Sequence, residues 1–153
     1  MNSEIHIADG DPRDPAVRRL LEASHALMQS LFPAGACHYL SIDALCVPQI
    51  RLFAARNDEV TLGCCALSSR DGYGEVKSMF VDPAARGTGV AEMLLARIEH
   101  EARLLELPIL RLETGDKLAS ARRLYLRSGY KPCGPFGDYV EVPTSLFMEK
   151  RLD

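Results

Sequence analysis

One segment limits the fold more than any other: residues 73–98, YGEVKSMFVDPAARGTGVAEMLLARI. Residues 73–81 read as a strand that closes at Asp82-Pro83. A loop of small residues follows and ends in Arg86-Gly87-Thr88-Gly89. The hydrophobic period then changes. Val90, Leu94, Ile98, Ala102 and Leu105 recur at helical spacing, which predicts a helix from about 89 to 106. A strand feeding a glycine loop that opens straight into a helix sets the helix's unpaired N–H groups beside the loop. Glycines let that backbone approach a ligand closely, and the helix dipole favours negative charge there. The segment therefore suits a phosphate or pyrophosphate, with Arg86 as an added cation. Two other phosphate patterns fit poorly. A P-loop needs Lys-Ser or Lys-Thr after its glycines, and a dinucleotide fingerprint needs a third glycine where Glu92 stands. On spacing alone, a glycine turn that merely caps the helix is the alternative.

The flanking sequence supplies the rest of the fold. Residues 3–8 alternate weakly and read as a first strand. Asp14-Pro15 is an N-cap followed by proline at the first helical position. Val17, Leu20, Leu21, Leu27, Met28 and Leu31 then follow at helical spacing until Pro33. Residues 34–48 are irregular, with one short helix near 42–45. Ile50, Leu52 and Ala54 alternate, Asn57-Asp58 turns, residues 60–68 form a second apolar run, and Asp71-Gly72 is a hairpin signal. After the long helix, residues 109–114 read as a strand and 117–128 as a helix capped by Gly129. Residues 130–133 and 145–150 are two last strands. The order β-α-β-β-β-α-β-α-β-β predicts an α/β (α+β) fold with a mixed, mostly antiparallel sheet flanked by helices. The connections 81→109 and 109→130 each carry a helix, as α/β units do.

The chain has 153 residues, 47% hydrophobic and 25% charged. That is one domain's worth of chain with enough apolar residues for a core, and it argues against disordered, collagen-like or coiled-coil classes. A net charge of −3 leaves no basic field for nucleic acid. No apolar run approaches the roughly 20 residues of a membrane-spanning helix. Met1-Asn2-Ser3-Glu4 has neither the basic start nor the apolar core of a signal peptide. Five cysteines, an odd number without C-x-x-C spacing, fit a reducing cytoplasm.

Arg86-Gly87-Thr88-Gly89-Val90-Ala91 resembles the acetyl-CoA signature [QR]-x-x-G-x-[GA] of the GNAT N-acetyltransferase superfamily. Residues 121–130, ARRLYLRSGY, resemble that family's A-x-x-L-Y-x-x-x-G-[FY] segment, and the element order agrees over nearly the whole chain. Residues 75–81, Leu112-Glu113-Thr114-Gly115 and residues 135–139 look like the YsnE-like bacterial branch. The resemblance implies one N-acetyltransferase domain over 1–153, with acetyl-CoA as co-substrate, no metal, and direct attack by an amine.

It also implies roles. The pyrophosphate would take N–H groups of Arg86, Gly87, Thr88, Gly89, Val90 and Ala91. The pantetheine arm would lie along Met79, Phe80 and Val81 like an added strand, where the family splays two strands apart. An N–H near Phe80 would polarise the thioester carbonyl. Glu75 and Glu113 each match a family base position; each could equally be a salt bridge or strand-end charge. Tyr125 matches the general acid for the departing thiolate, although Leu118, Ala121, Tyr125 and Ser128 share a face and a core tyrosine is the alternative. Leu118 departs from the family, which often carries Asn or Gln there to hold CoA; Ser120 is the candidate substitute. His38 falls in the variable substrate-side segment, and Asp138 and Tyr139 in the loop that often shapes the acceptor pocket. For each, plain loop or packing is the alternative.

Cys64-Cys65 in a strand should point to opposite faces as buried thiols. His6, His25 and His100 form no metal pattern. The acceptor expected is a small-molecule amine, with a protein N-terminus or lysine next, no nucleic acid or membrane partner, and a homodimer as the family often forms. The rivals from other classes are a non-catalytic acyl-CoA-binding regulator and a plain interaction domain.

Overall fold

Local signals set most element ends. Asp14 Oδ1 accepts from the Ala16 N–H at 3.0 Å and starts the first helix with Pro15 behind it. Ser41 Oγ accepts from the Ala44 N–H at 3.1 Å and starts the short helix. Gly129, at φ 94°, follows the last one. The computed structural model describes residues 4–58 and 60–152, so Ser3 of the expected first strand lies outside the described residues. The order is β1 (His6–Gly10), α1 (Pro15–Leu31), α2 (Ile42–Leu45), β2 (Ile50–Asn57), β3 (Val60–Ser69), β4 (Gly74–Val81), α3 (Val90–Leu104), β5 (Ile109–Gly115), α4 (Ala119–Arg127), β6 (Lys131–Cys133) and β7 (Ser145–Arg151). It matches the expected order throughout.

The seven strands form one sheet, β1-β2-β3-β4-β5-β7-β6, antiparallel except where β4 meets β5. The connection through α3 makes parallel neighbours, as an α/β unit should. The one through α4 does not, because β7 slots between β5 and β6 and pairs antiparallel with both. Pro132 gives the reason. Proline donates nothing to a ladder and belongs on an edge strand, so the short β6 takes the edge.

The sheet separates two apolar layers. Phe53, Ala55, Cys65 and Leu67 face α3 and α4, while Leu52, Ala54, Cys64 and Ala66 face α1 and α2. The adjacent cysteines therefore do lie on opposite faces, both buried. Strand β4 breaks this alternation. Val76 belongs to the α3 side and Phe80 to the α1 side, although an even spacing should keep them together. A bulge explains it: pairing jumps from Ala66↔Lys77 to Cys64↔Phe80, and Ser78 sits at φ 55°. One extra residue flips every side chain beyond it and bends the strand. Pairing between β4 and β5 covers only Gly74↔Leu110 and Glu75↔Arg111. Past those, β4 bends away while β5 stays with β7 to Gly115.

Candidate active site

The parting of β4 and β5 opens a cleft of about 830 Å³. The expected residues Met79, Phe80, Val81, Arg86, Gly87, Gly89, Val90 and Ala91 line it from β4 and the start of α3. Glu113 enters from β5, Ser120 and Tyr125 from α4, and His38 from the segment before α2. Thr88, Glu75, Asp138 and Tyr139 are not among the lining residues. Thr88 turns back to donate its hydroxyl to the Ala85 carbonyl. Asp138 is exposed, with Gly137 before it at φ 58°.

The glycine loop has the geometry of an anion cradle. Gly87 and Gly89 sit at φ 80° and 86°. A Cβ at either would meet nothing within 4 Å, so backbone conformation rather than crowding selects glycine. Among the described residues, the Gly87, Thr88 and Gly89 N–H groups make no backbone hydrogen bond. Val90 and Ala91 are the first residues of α3, whose N–H groups have no helical acceptor. The Arg86 N–H is already turned to the Pro83 carbonyl at 3.4 Å. Its guanidinium lies 5.9 Å over the Phe80 ring at the rim. Glu92 in the first turn is held below the usual carboxylate range by its own backbone N–H and then by Arg127 at 3.0 Å.

The opened edge of β4 has a defined polarity. The Asp82 N–H donates to the Leu62 carbonyl on β3 at 2.8 Å. Strand alternation then turns the Phe80 N–H toward β3 as well, and leaves the Met79 and Val81 N–H groups facing the cleft. The N–H groups near Phe80 that face the cleft are thus those of its neighbours, not its own.

Tyr125 reaches the cleft from inside the core, 6% exposed. Its ring meets Tyr130 edge to face at 5.7 Å. Burial, then the Cys65 and Glu113 charges, push its pKa up, so the phenol keeps its proton. Among the described residues its hydroxyl has no protein hydrogen-bond partner, which leaves a donor aimed at the cleft.

The two glutamates occupy different networks. Glu75 is 3% exposed and takes the Tyr139 hydroxyl at 2.6 Å and Lys77 Nζ at 3.2 Å, with Arg70 at 3.7 Å. Burial, then the Glu75 charge, push the Tyr139 pKa up. Lys77 Nζ also donates to the Tyr139 oxygen at 2.7 Å and the His38 carbonyl at 3.4 Å. Glu113 instead takes the Ser145 hydroxyl at 2.8 Å and His38 Nδ1 at 3.0 Å. The His38 ring rests edge-on against Tyr139 at 5.5 Å. Sequence reasoning missed Lys77 and Ser145. Lys77 left a signal, since it shares one face of an apolar strand with Glu75. Ser145 left none, because only the β5–β7 register brings it to Glu113.

A model of the acetyltransferase (GNAT) domain matches residues 48–132, from before β2 into β6. The chain belongs to that family. An IAA acetyltransferase of Azospirillum brasilense is 43% identical over 97% of this chain and 98% of its own length. The uncharacterized N-acetyltransferase YsnE of Bacillus subtilis is 34% identical over 97% of this chain and 100% of its own. A Klebsiella pneumoniae protein solved as a candidate acyl-CoA N-acyltransferase superposes with a TM-score of 0.83 at 33% identity, covering 99% of this chain and 100% of that one. The GNAT chain is an acetyl-CoA-dependent acyltransferase. The free N–H cradle, the unpaired β4 edge and the cleft between them suit that co-substrate's pyrophosphate and pantetheine arm.

Proposed function

We propose that this GNAT enzyme acetylates the primary amine of a small molecule by direct attack. The observation that carries the reading is the opened β4 edge beside the glycine cradle: it offers strand-like hydrogen bonds and an anion site in one continuous cleft. Acetyl-CoA supplies the activated acetyl group. The chain's own residues bind and polarise. Gly87 to Ala91 hold negative charge at the helix start. The Met79 and Val81 N–H groups face the carbonyl oxygen, where one such donor is worth about 10²–10³ in rate. Tyr125 donates its hydroxyl hydrogen to the departing sulfur.

The small-molecule preference rests on the other end of the cleft. Ser24, Leu27, Met28 and Leu31 of α1, with Tyr39, wall it on the side away from α3. A wall of that kind suits a compact acceptor better than an extended peptide. The five cysteines are free thiols, which suits a reducing cytoplasm. Among the described residues no helix is long and apolar enough to cross a membrane.

The test is thiol release from acetyl-CoA across amino acids, polyamines, aminoglycosides, amino-phosphonates and short peptides. Acceptor-dependent release with small amines that Tyr125→Phe loses supports the reading. Release with peptides alone moves the acceptor to a polypeptide, and silence throughout with tight CoA binding points to a regulator.

A further inference from the structure

Histidine 38 and Glu113 lie 75 residues apart in the chain and meet across the cleft wall at 3.0 Å. We propose that His38 is the general base of the acetyl transfer and that Glu113 is its positioning residue. The inference rests on the acetyl-transfer reading above and names who takes the amine's proton.

Donor counting argues for it. An ionised carboxylate only accepts hydrogen bonds. His38 Nδ1 faces Glu113 Oε2 at 3.0 Å and so must carry the hydrogen, while Ser145 Oγ, 3.5 Å from that nitrogen, gives its own hydrogen to the carboxylate at 2.8 Å. The lone pair then resides on Nε2, which among the described residues has no hydrogen-bond partner. His38 lines the cleft and its side chain is 25% exposed, against 8% for Glu113. The imidazole can therefore reach an acceptor, while the carboxylate is wrapped by its two partners. The backbone is fixed as well, since Lys77 Nζ donates to the His38 carbonyl. This is nucleophile-and-base logic without a protein nucleophile: a carboxylate sets the tautomer and stabilises the imidazolium once it forms.

Atoms balance as follows. An ammonium R–NH₃⁺ gives one proton to Nε2. The neutral amine's lone pair forms the N–C bond, and the C–S bond breaks with its electron pair on sulfur. The second N–H proton ends on that sulfur by way of the Tyr125 hydroxyl, and the third stays on the amide nitrogen. The imidazolium, paired with Glu113, releases its proton to solvent.

The experiment measures kcat, KM and the pH profile of wild type, His38→Gln, His38→Ala and Glu113→Gln with an acceptor from the amine panel. Calorimetric CoA affinity and Tm serve as checks on folding. The charged and titratable groups facing the ring are Glu113 from β5 and Tyr139 from the 134–143 loop, with Lys77 and Glu75 of β4 behind them. His38→Gln should lower kcat about 10²–10⁴-fold and abolish the acidic limb while CoA affinity holds. Added imidazole should restore part of the His38→Ala rate. Glu113→Gln should lower kcat while the acceptor KM and CoA affinity hold, because the imidazole loses the carboxylate that fixes its tautomer. A purely structural Glu113 would lower Tm and leave kcat unmoved. Wild-type turnover and pH profile in His38→Gln would overturn the dyad alone. A wild type silent toward every amine would overturn the dyad together with the acetyl-transfer reading.

Discussion

Replacing Tyr125 and Tyr130 by phenylalanine, one at a time, makes the same chemical change at two touching rings and should give opposite results. Tyr130 is 2% exposed, and its hydroxyl is buried without a hydrogen-bond partner among the described residues. Burial, followed by the Glu99 charge, pushes its pKa up. An unpaired buried hydroxyl costs about 1–3 kcal/mol. Phenylalanine keeps the ring and its 5.7 Å edge contact with Tyr125 and removes the orphan. The fold should gain about 1 kcal/mol. In a chain of this length that raises Tm by roughly 2–4 °C, with turnover unchanged. Tyr125→Phe deletes a hydroxyl that faces the cleft, so Tm should move little. Its kcat should fall about 10²-fold, roughly 2.7 kcal/mol of barrier. Calorimetric acetyl-CoA affinity should hold. Differential scanning calorimetry and thiol release read both variants. A Tyr130→Phe protein that melts below wild type would refute the orphan argument, because its hydroxyl would then have a stabilising partner. Normal turnover in Tyr125→Phe would remove that residue from the chemistry.

Other perturbations test the remaining parts. Gly89→Ala meets no atom but must hold φ 86°, a strain of about 1–2 kcal/mol; calorimetry should show CoA affinity falling about tenfold, and unchanged affinity counts against the cradle. Glu101 is 6% exposed and joins Arg51 at 2.9 Å to Arg97 at 3.1 Å, both 5.0 Å over the Phe53 ring. Glu101→Ala leaves Arg97 without a carboxylate and Arg51 with Asp9 alone at 2.9 Å, and should cost about 1–3 kcal/mol in urea unfolding. Alkaline pH should unfold the chain. Burial raises Cys64 from 9.0 to about 12, and raises Tyr125, Tyr130 and Tyr139 above 10.0. Below about pH 9 these groups are neutral in both states and their stability is fully present. As pH rises past 9 to 10 the unfolded chain ionises first, so Tm should fall by pH 10.5; burial raises Cys65 as well, so Cys64→Ala should make that fall shallower without moving its start.

The amino-acid sequence determined what short-range physics can write. Hydrophobic period set the elements, Asp14-Pro15 and Gly129 set helix ends, and Cys64-Cys65 declared a strand with two buried faces. The cradle was legible for the same reason. Positive-φ glycines and unpaired helix N–H groups are local, so the free backbone of Gly87 to Ala91 could be read before any contact was known. Pro132 carried an edge-strand signal too, although only the insertion of β7 gave it meaning.

The tertiary structure decided the rest. No pattern in GEVKSMFV announces the bulge at Ser78, which depends on how β4 registers against β3. That bulge turns Phe80 to the other face and parts β4 from β5, and so it makes the cleft. The glutamates show the same limit. Glu75 and Glu113 look interchangeable along the chain, each the one carboxylate of its strand. In the fold, Glu75 is taken by Lys77 and Tyr139, while Glu113 meets His38 and Ser145 across 75 and 32 residues of sequence. A hydrogen bond over that separation is invisible to periodicity, because it follows from which strands pair and in what register. Periodicity and caps are properties of a few consecutive residues, whereas a site is a property of the closed sheet.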